Sequence, residues 1–207
     1  MKNKQMTKGA LALAAGLMVS FVALQGAQAA DKIRVRGVVE SLNGDTLKVK
    51  SREGKDVTIM LKSGWAVTGV VKASVADIKP GDFVGIASQP TASGVNGALE
   101  VVLFPAAMKG TGEGDYGWDL KPKSSMTNAT VASAVTSVNG PTLSLTYKGG
   151  EKKISVPPGT PVVTFGPATK DDVKAGATVF INGTTSGDSM VAADRVVVGT
   201  NGVVPPM

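Results

Sequence analysis

Hydrophobic and polar residues alternate through much of this chain with a period of two, the spacing of a strand with one dry and one wet face. Leu47 and Val49 alternate with Lys48 and Lys50, and Leu143 and Leu145 alternate with Ser144 and Thr146. Each of these stretches follows an Asn-Gly pair, Asn43-Gly44 or Asn139-Gly140, which signals a hairpin. The pattern is written twice. Residues 42–49 align with 138–145, and Asp77-Ile78-Lys79-Pro80-Gly81 aligns with Asp172-Val173-Lys174-Ala175-Gly176, at offsets of 96 and 95.

Each copy predicts the same order of elements. First strands at 34–42 and 130–138 lead through the Asn-Gly turns into the alternating second strands, and third strands follow at 57–61 and 154–156. A non-strand crossing comes next. In it, Ser74-Val75-Ala76-Asp77 and Thr169-Lys170-Asp171-Asp172 have the hydroxyl-x-x-acid spacing that starts a helical turn. Fourth strands at 83–87 and 178–182 and fifth strands at 99–103 and 194–198 complete the units.

Three strands, a short helical turn and two strands is the order of a five-stranded Greek-key barrel of the OB type. The expected fold is all-β: two tandem OB-like barrels, at 30–104 and 128–200, joined by a Gly-rich insert at 105–127 and followed by a tail at 201–207. A plain antiparallel sandwich shared by both halves fits the alternation equally well. Units this small are marginal alone, so the two are expected to pack together.

Residues 1–29 read as a secretory leader. Lys2, Lys4 and Lys8 precede an apolar run from Gly9 to Leu24, and Ala27-Gln28-Ala29 places small residues before a cut. That run has 16 residues, short of the roughly 20 that cross a bilayer, and no second one follows. The expected address is the periplasm, with no membrane span after cleavage. Losing the three leader lysines lowers the formal net charge from +6 to +3, so the basic balance is partly the leader's own.

The insert spends aromatic residues where a flexible linker needs none. Between Pro105 and Pro122 it carries four glycines together with Tyr116 and Trp118. It is therefore expected to dock on a barrel surface and bury those rings. Two functional alternatives use the same segment: Tyr116 and Trp118 as one wall of a ligand groove, or Glu113, Asp115 and Asp119 converging on a hard cation. It lacks the pattern of a twelve-residue calcium loop.

The chain has no Cys and no His, which removes disulfides, thiolate catalysis, the common nucleophile–His pairs and the usual zinc, copper and haem ligand sets. Ser-x-x-Lys, Gly-x-Ser-x-Gly and Gly-x-x-x-x-Gly-Lys do not occur, and no Gly-x-Gly-x-x-Gly opens a helix. A carboxylate pair needs no His, but Asp77 and Asp172 are explained as helix-start acids. Nucleic-acid binding on an OB surface stacks bases on aromatic side chains, and the predicted first three strands of each copy hold only Tyr147. No cofactor is implied. The leading expectation is a non-enzymatic binding or interaction module whose partner is an envelope protein or a small solute. A solute or hard-cation binder using the insert is the alternative, and an acid-pair hydrolase the remote one.

Several phrases also look familiar: residues 74–84, Lys109-Gly110-Thr111-Gly112-Glu113-Gly114, Met126-Thr127-Asn128-Ala129, and residues 147–154 with Pro157-Pro158. On these the chain resembles a group of exported proteobacterial proteins with tandem small β domains, catalogued as a domain of unknown function. The resemblance implies a Gram-negative envelope address and a repeated barrel-like unit. It imports no catalytic residue.

Overall fold

The computed structural model describes residues 31–185 and 190–206. The leader expected at 1–29 lies outside the described residues. Among the described residues the chain is almost wholly β-structure, with three isolated 3-10 turns and no helix long and apolar enough to cross a membrane.

The first half folds as a meander of β1 (Asp31–Asn43), β2 (Thr46–Ser51) and β3 (Asp56–Lys72). Alternation sets the faces as expected: Leu47, Val49 and Ser51 are buried while Lys48 and Lys50 face solvent. The β1–β2 turn is two residues long, because Asn43 pairs with Thr46 and Gly44 takes the positive φ of +57° at its first central position.

In the second half, β7 (Ser125–Val135) and β8 (Thr142–Tyr147) pair only as far as Val135 with Thr142. The strand expected to reach Val138 stops three residues short, and Asn139-Gly140 falls inside a looser connection spanning 136–141. Pro141 follows Gly140 there and, having no N–H, cannot donate to a ladder. The insert ends earlier than expected, since Ser125–Asn128 already pair with β6 (Gly114–Gly117).

The third strand is much longer than the five residues read at 57–61. β3 runs on through Ala66-Val67-Thr68 to Lys72, and its counterpart is split into β9 (Gly150–Ser155) and β10 (Val162–Gly166) by Pro157-Pro158-Gly159-Thr160-Pro161. The extension puts Trp65 on β3, so the first copy does carry an aromatic on its opening strands. Trp65 is buried in a core with Lys170 over its ring, and offers no stacking surface. At the far end, β3 and β10 pair antiparallel with Val70 opposite Phe165, positions 95 apart in the repeat. The two halves thus meet about a local twofold axis.

The ladders then cross the repeat boundary. β4 (Phe83–Gln89) and β5 (Asn96–Leu103) do not return to β1–β3; β4 pairs with β7, and β5 lies parallel to β9. In exchange, β11 (Thr178–Thr185) pairs with β1, and β12 (Val191–Gly199) lies parallel to β3. One closed ring is therefore β1-β2-β3-β12-β11, and the second ring of pairings is β7-β8-β9-β5-β4.

This corrects the barrel boundaries expected at 30–104 and 128–200. Each ring takes three strands from one half and two from the other. The physical reason is the reach of β3: at about 3.3 Å per residue, a strand of 17 residues carries the chain roughly 50 Å. The next strand starts beside the far ring.

The cores record the same exchange. Leu47, Ile59 and Trp65 pack with Val179, Ile181 and Val196 in one, and Val84, Ile86 and Val101 pack with Leu143, Leu145 and Ile154 in the other. A third cluster at the junction joins Val70, Val102, Val163, Phe180 and Val197. Both short crossings are held by the expected acid at the third position of the turn: Asp77 accepts from the Ser74 N–H at 2.8 Å and Asp172 from the Thr169 N–H at 2.7 Å.

Because neither half holds a complete ring, fragments 30–108 and 109–207 are expected to be unfolded separately and to form one cooperative, strand-rich species when mixed. Far-ultraviolet circular dichroism with thermal melting checks this. A cooperative transition in either fragment alone would contradict the exchange.

Candidate functional site

The insert straps one ring to the other. At its start, Lys109 Nζ donates to the Gly81 carbonyl at 3.1 Å, and Asn128 Nδ2 donates to the Thr111 carbonyl and to Tyr116 Oη, both at 3.2 Å. Glu113 accepts from the Lys148 N–H at 3.0 Å, in the β8–β9 hairpin. Asp115 accepts from Lys152 Nζ at 2.8 and 3.0 Å and from Thr127 Oγ1 at 2.8 Å.

Farther on, the strap reaches the ring that contains β1. Asp119 holds Arg36 at 2.8 Å and Arg34 at 3.6 Å, and its carbonyl accepts from Arg52 at 3.3 Å. The three insert carboxylates therefore face three different sets of donors. Among the described residues no three His, Cys, Asp or Glu side chains gather as metal ligands.

The two aromatic residues do come together. Tyr116 and Trp118 meet edge to face at 6.1 Å, and the Arg34 guanidinium lies 4.0 Å above the Trp118 ring. Trp118 is half-buried against the junction cluster, while Tyr116 stays 40% exposed. Burial pushes the Tyr116 hydroxyl up from its ordinary range, against the charge of Arg34. Beside them lies a groove of about 410 Å³ that also involves Lys32, Lys62 and Asp194. Docking of the insert is thus realised through Trp118 more than Tyr116.

A larger cleft, about 1100 Å³, opens between the two rings. One wall is Arg36, Gly37 and Val38 of β1 with Lys50 and Ser51 of β2 and Arg52 of the turn after it. The facing wall runs from Lys72 through Val75 and from Val156 through Val163, with Glu100 of β5. The C-terminal segment Gly202–Pro206 and Leu120 of the strap complete it. Apolar side chains dominate the lining, six of them proline. The terminal segment is held where Thr178 Oγ1 donates to the Val203 carbonyl at 3.0 Å, and Pro205 and Pro206 are buried.

Glu100 is the anomaly in this lining. It is 7% exposed, its Oε1 has no hydrogen-bond partner among the described residues, and desolvation pushes its pKa up to about 7. The charges of Arg36 and Arg52 pull it down, and that of Asp119 pushes it up. Those arginines come from the other ring and are held by the strap. Burial also pushes the Asp119 carboxyl up, but the Arg36 hydrogen bond and the charges of Arg36 and Arg34 outweigh it and leave the group below the usual range.

Sequence reasoning singled out Glu113, Asp115, Tyr116, Trp118 and Asp119, of which only Asp119 reaches the edge of the cleft, through Arg36 and Arg52. It passed over Glu100, although an acid inside the apolar run Leu99-Glu100-Val101-Val102-Leu103 is the kind of local conflict that marks a site. No protein-family model, curated protein or solved structure matches the chain.

The raised pKa of Glu100 has a definite sign in stability. The native state binds this proton more tightly than the unfolded chain, so the contribution of Glu100 to stability is greatest below about pH 4.5 and falls as pH rises to about 7. This one group is expected to contribute about 3 kcal/mol to that fall, at 1.36 kcal/mol per pKa unit. Denaturant unfolding at pH 5 and pH 8 should show Glu100→Gln losing this part of the pH dependence; an unchanged dependence would contradict the burial of an ionisable Glu100. Trp118→Ala, measured the same way, should cost about 2 kcal/mol by removing the half-buried ring and its Arg34 contact.

Proposed function

We propose that this protein is a non-enzymatic, exported binding module, a pair of OB-like Greek-key barrels with exchanged strands that takes a small, largely apolar solute in the cleft between them. The observation that carries this reading is the cleft itself. Its volume of about 1100 Å³ lies just above the usual range of ligand pockets, and its apolar lining with a few convergent polar groups is their usual chemistry. The leader-like pattern at 1–29 supports export to the periplasm.

A second reading places the solute in the groove beside Tyr116 and Trp118, where an aromatic wall stands next to Lys32, Arg34 and Lys62. The hard-cation version of the insert site has less support. Asp115 and Asp119 already hold Lys152 and Arg36 at 2.8 Å, and a cation would have to displace both.

Titration of residues 30–207 with Nile red, an uncharged apolar dye, separates the two sites. Val38 lines the cleft and is 41% exposed, so Val38→Trp fills the space without disturbing a core. Dye binding is expected to saturate at one site, to weaken at least tenfold in Val38→Trp at unchanged melting temperature, and to persist in Trp118→Ala. Loss in Trp118→Ala alone would move the site to the insert groove.

A further inference from the structure

One residue of the cleft wall carries a buried polar atom that the protein leaves unsatisfied. Glu100 Oε1 is buried and has no hydrogen-bond partner among the described residues, yet Glu100 forms part of the cleft wall. Buried acceptors are ordinarily paired, and an unpaired one costs free energy that a partner recovers. Three of the four basic side chains in the lining are engaged, Arg36 by Asp119 at 2.8 Å, Arg52 by Glu53 at 2.7 Å and Lys50 by Asp56 at 2.6 Å, and the fourth, Lys72, is exposed to solvent. The group short of a partner is the acid.

We infer that the cleft takes an uncharged, mostly apolar molecule whose hydroxyl or amide N–H donates to the Glu100 carboxylate. This rests on the reading that the cleft is the binding site, and it adds the chemistry of the ligand's polar end. Charge argues for a neutral donor. An anionic head would sit against a carboxylate with little water between them, and a cationic head would come under Arg36 and Arg52. A neutral donor gives the carboxylate a partner and leaves the local charge as it is.

The protonation of Glu100 then tunes the preference. Above about pH 7 the carboxylate only accepts; below it the acid form carries an O–H and can itself donate to a ligand oxygen. The charged groups facing it are Arg36 of β1, Arg52 of the turn after β2 and Asp119 of the strap. The flanking strands β4 and β10 have no titratable side chain.

The test is displacement of Nile red from residues 30–207 at pH 8 by four ten-carbon probes: 1-decanol, its methyl ether, decylamine and decanoate. Decanol is expected to displace the dye at about one tenth the concentration the ether needs, the effect of one hydrogen bond to a charged acceptor. The amine and the carboxylate should do no better than the ether. The alcohol–ether gap should narrow at pH 5.5 and in Glu100→Gln, where the acid O–H or the amide N–H can donate to the ether oxygen, and vanish in Glu100→Leu.

Equal displacement by alcohol and ether in the native chain would overturn the inference while leaving the cleft as the site. So would tightest displacement by decanoate or decylamine. Dye binding that is absent, or unaffected by Val38→Trp, would instead remove the cleft reading, and this inference with it.

Discussion

The structure depends on the antiparallel pairing of the tail of β3 with β10, where Val70 stands opposite Phe165. That pairing holds equivalent segments of the two repeats side by side and starts each following strand nearer the other ring. Everything downstream follows geometrically. The β4–β5 hairpin has the first half's sequence and closes the second ring, and β11–β12 makes the reciprocal crossing. A small barrel buries little apolar surface on its own. Exchange lets two such cores and a shared junction cluster form as one cooperative unit.

Much of the local structure was legible in the sequence because it is set by neighbours a few residues apart. Alternation identified the dry face of β2, and the hydroxyl-x-x-acid spacing identified both crossings. The long-range part was not legible, for a physical reason. A period of two states which face of a strand is buried but is silent on which strand lies beside it. The element order of a Greek-key barrel is satisfied whether strands four and five return to their own half or to the other. The extension of β3 was the available clue: Ala66 to Val71 is rich in β-branched residues, whereas the second copy is interrupted by prolines at 157, 158 and 161.

The site divides in the same way. Tyr116 and Trp118 announced a docked strap because aromatic residues in a Gly-rich segment need a surface, and Trp118 finds one under Arg34. The insert carboxylates looked like a set because they are close in sequence, but a docked, extended segment spreads its side chains over whatever it crosses. Glu113 and Asp115 meet the β8–β9 hairpin and Asp119 meets the arginines of β1. Glu100 is close to none of these in sequence, and the cleft around it exists only after the exchange.

That last dependence connects fold to site. Two independent barrels joined by a flexible linker could swing apart and let Glu100 regain water, since small domains are ordinarily free to move relative to one another. Here the strap is hydrogen-bonded to both rings, and the rings share strands, so the cleft is a fixed gap rather than a hinge. Arg36 and Arg52 stay within electrostatic reach of Glu100, and the carboxyl stays desolvated whether or not anything occupies the space. A site whose ordering cost is already met by folding binds a modest ligand more tightly than one that must assemble around it. The unfavourable burial of one acid is thus offset within the folding energy of the interlocked rings, which hold Glu100 in the cleft wall with Oε1 lacking a hydrogen-bond partner among the described residues.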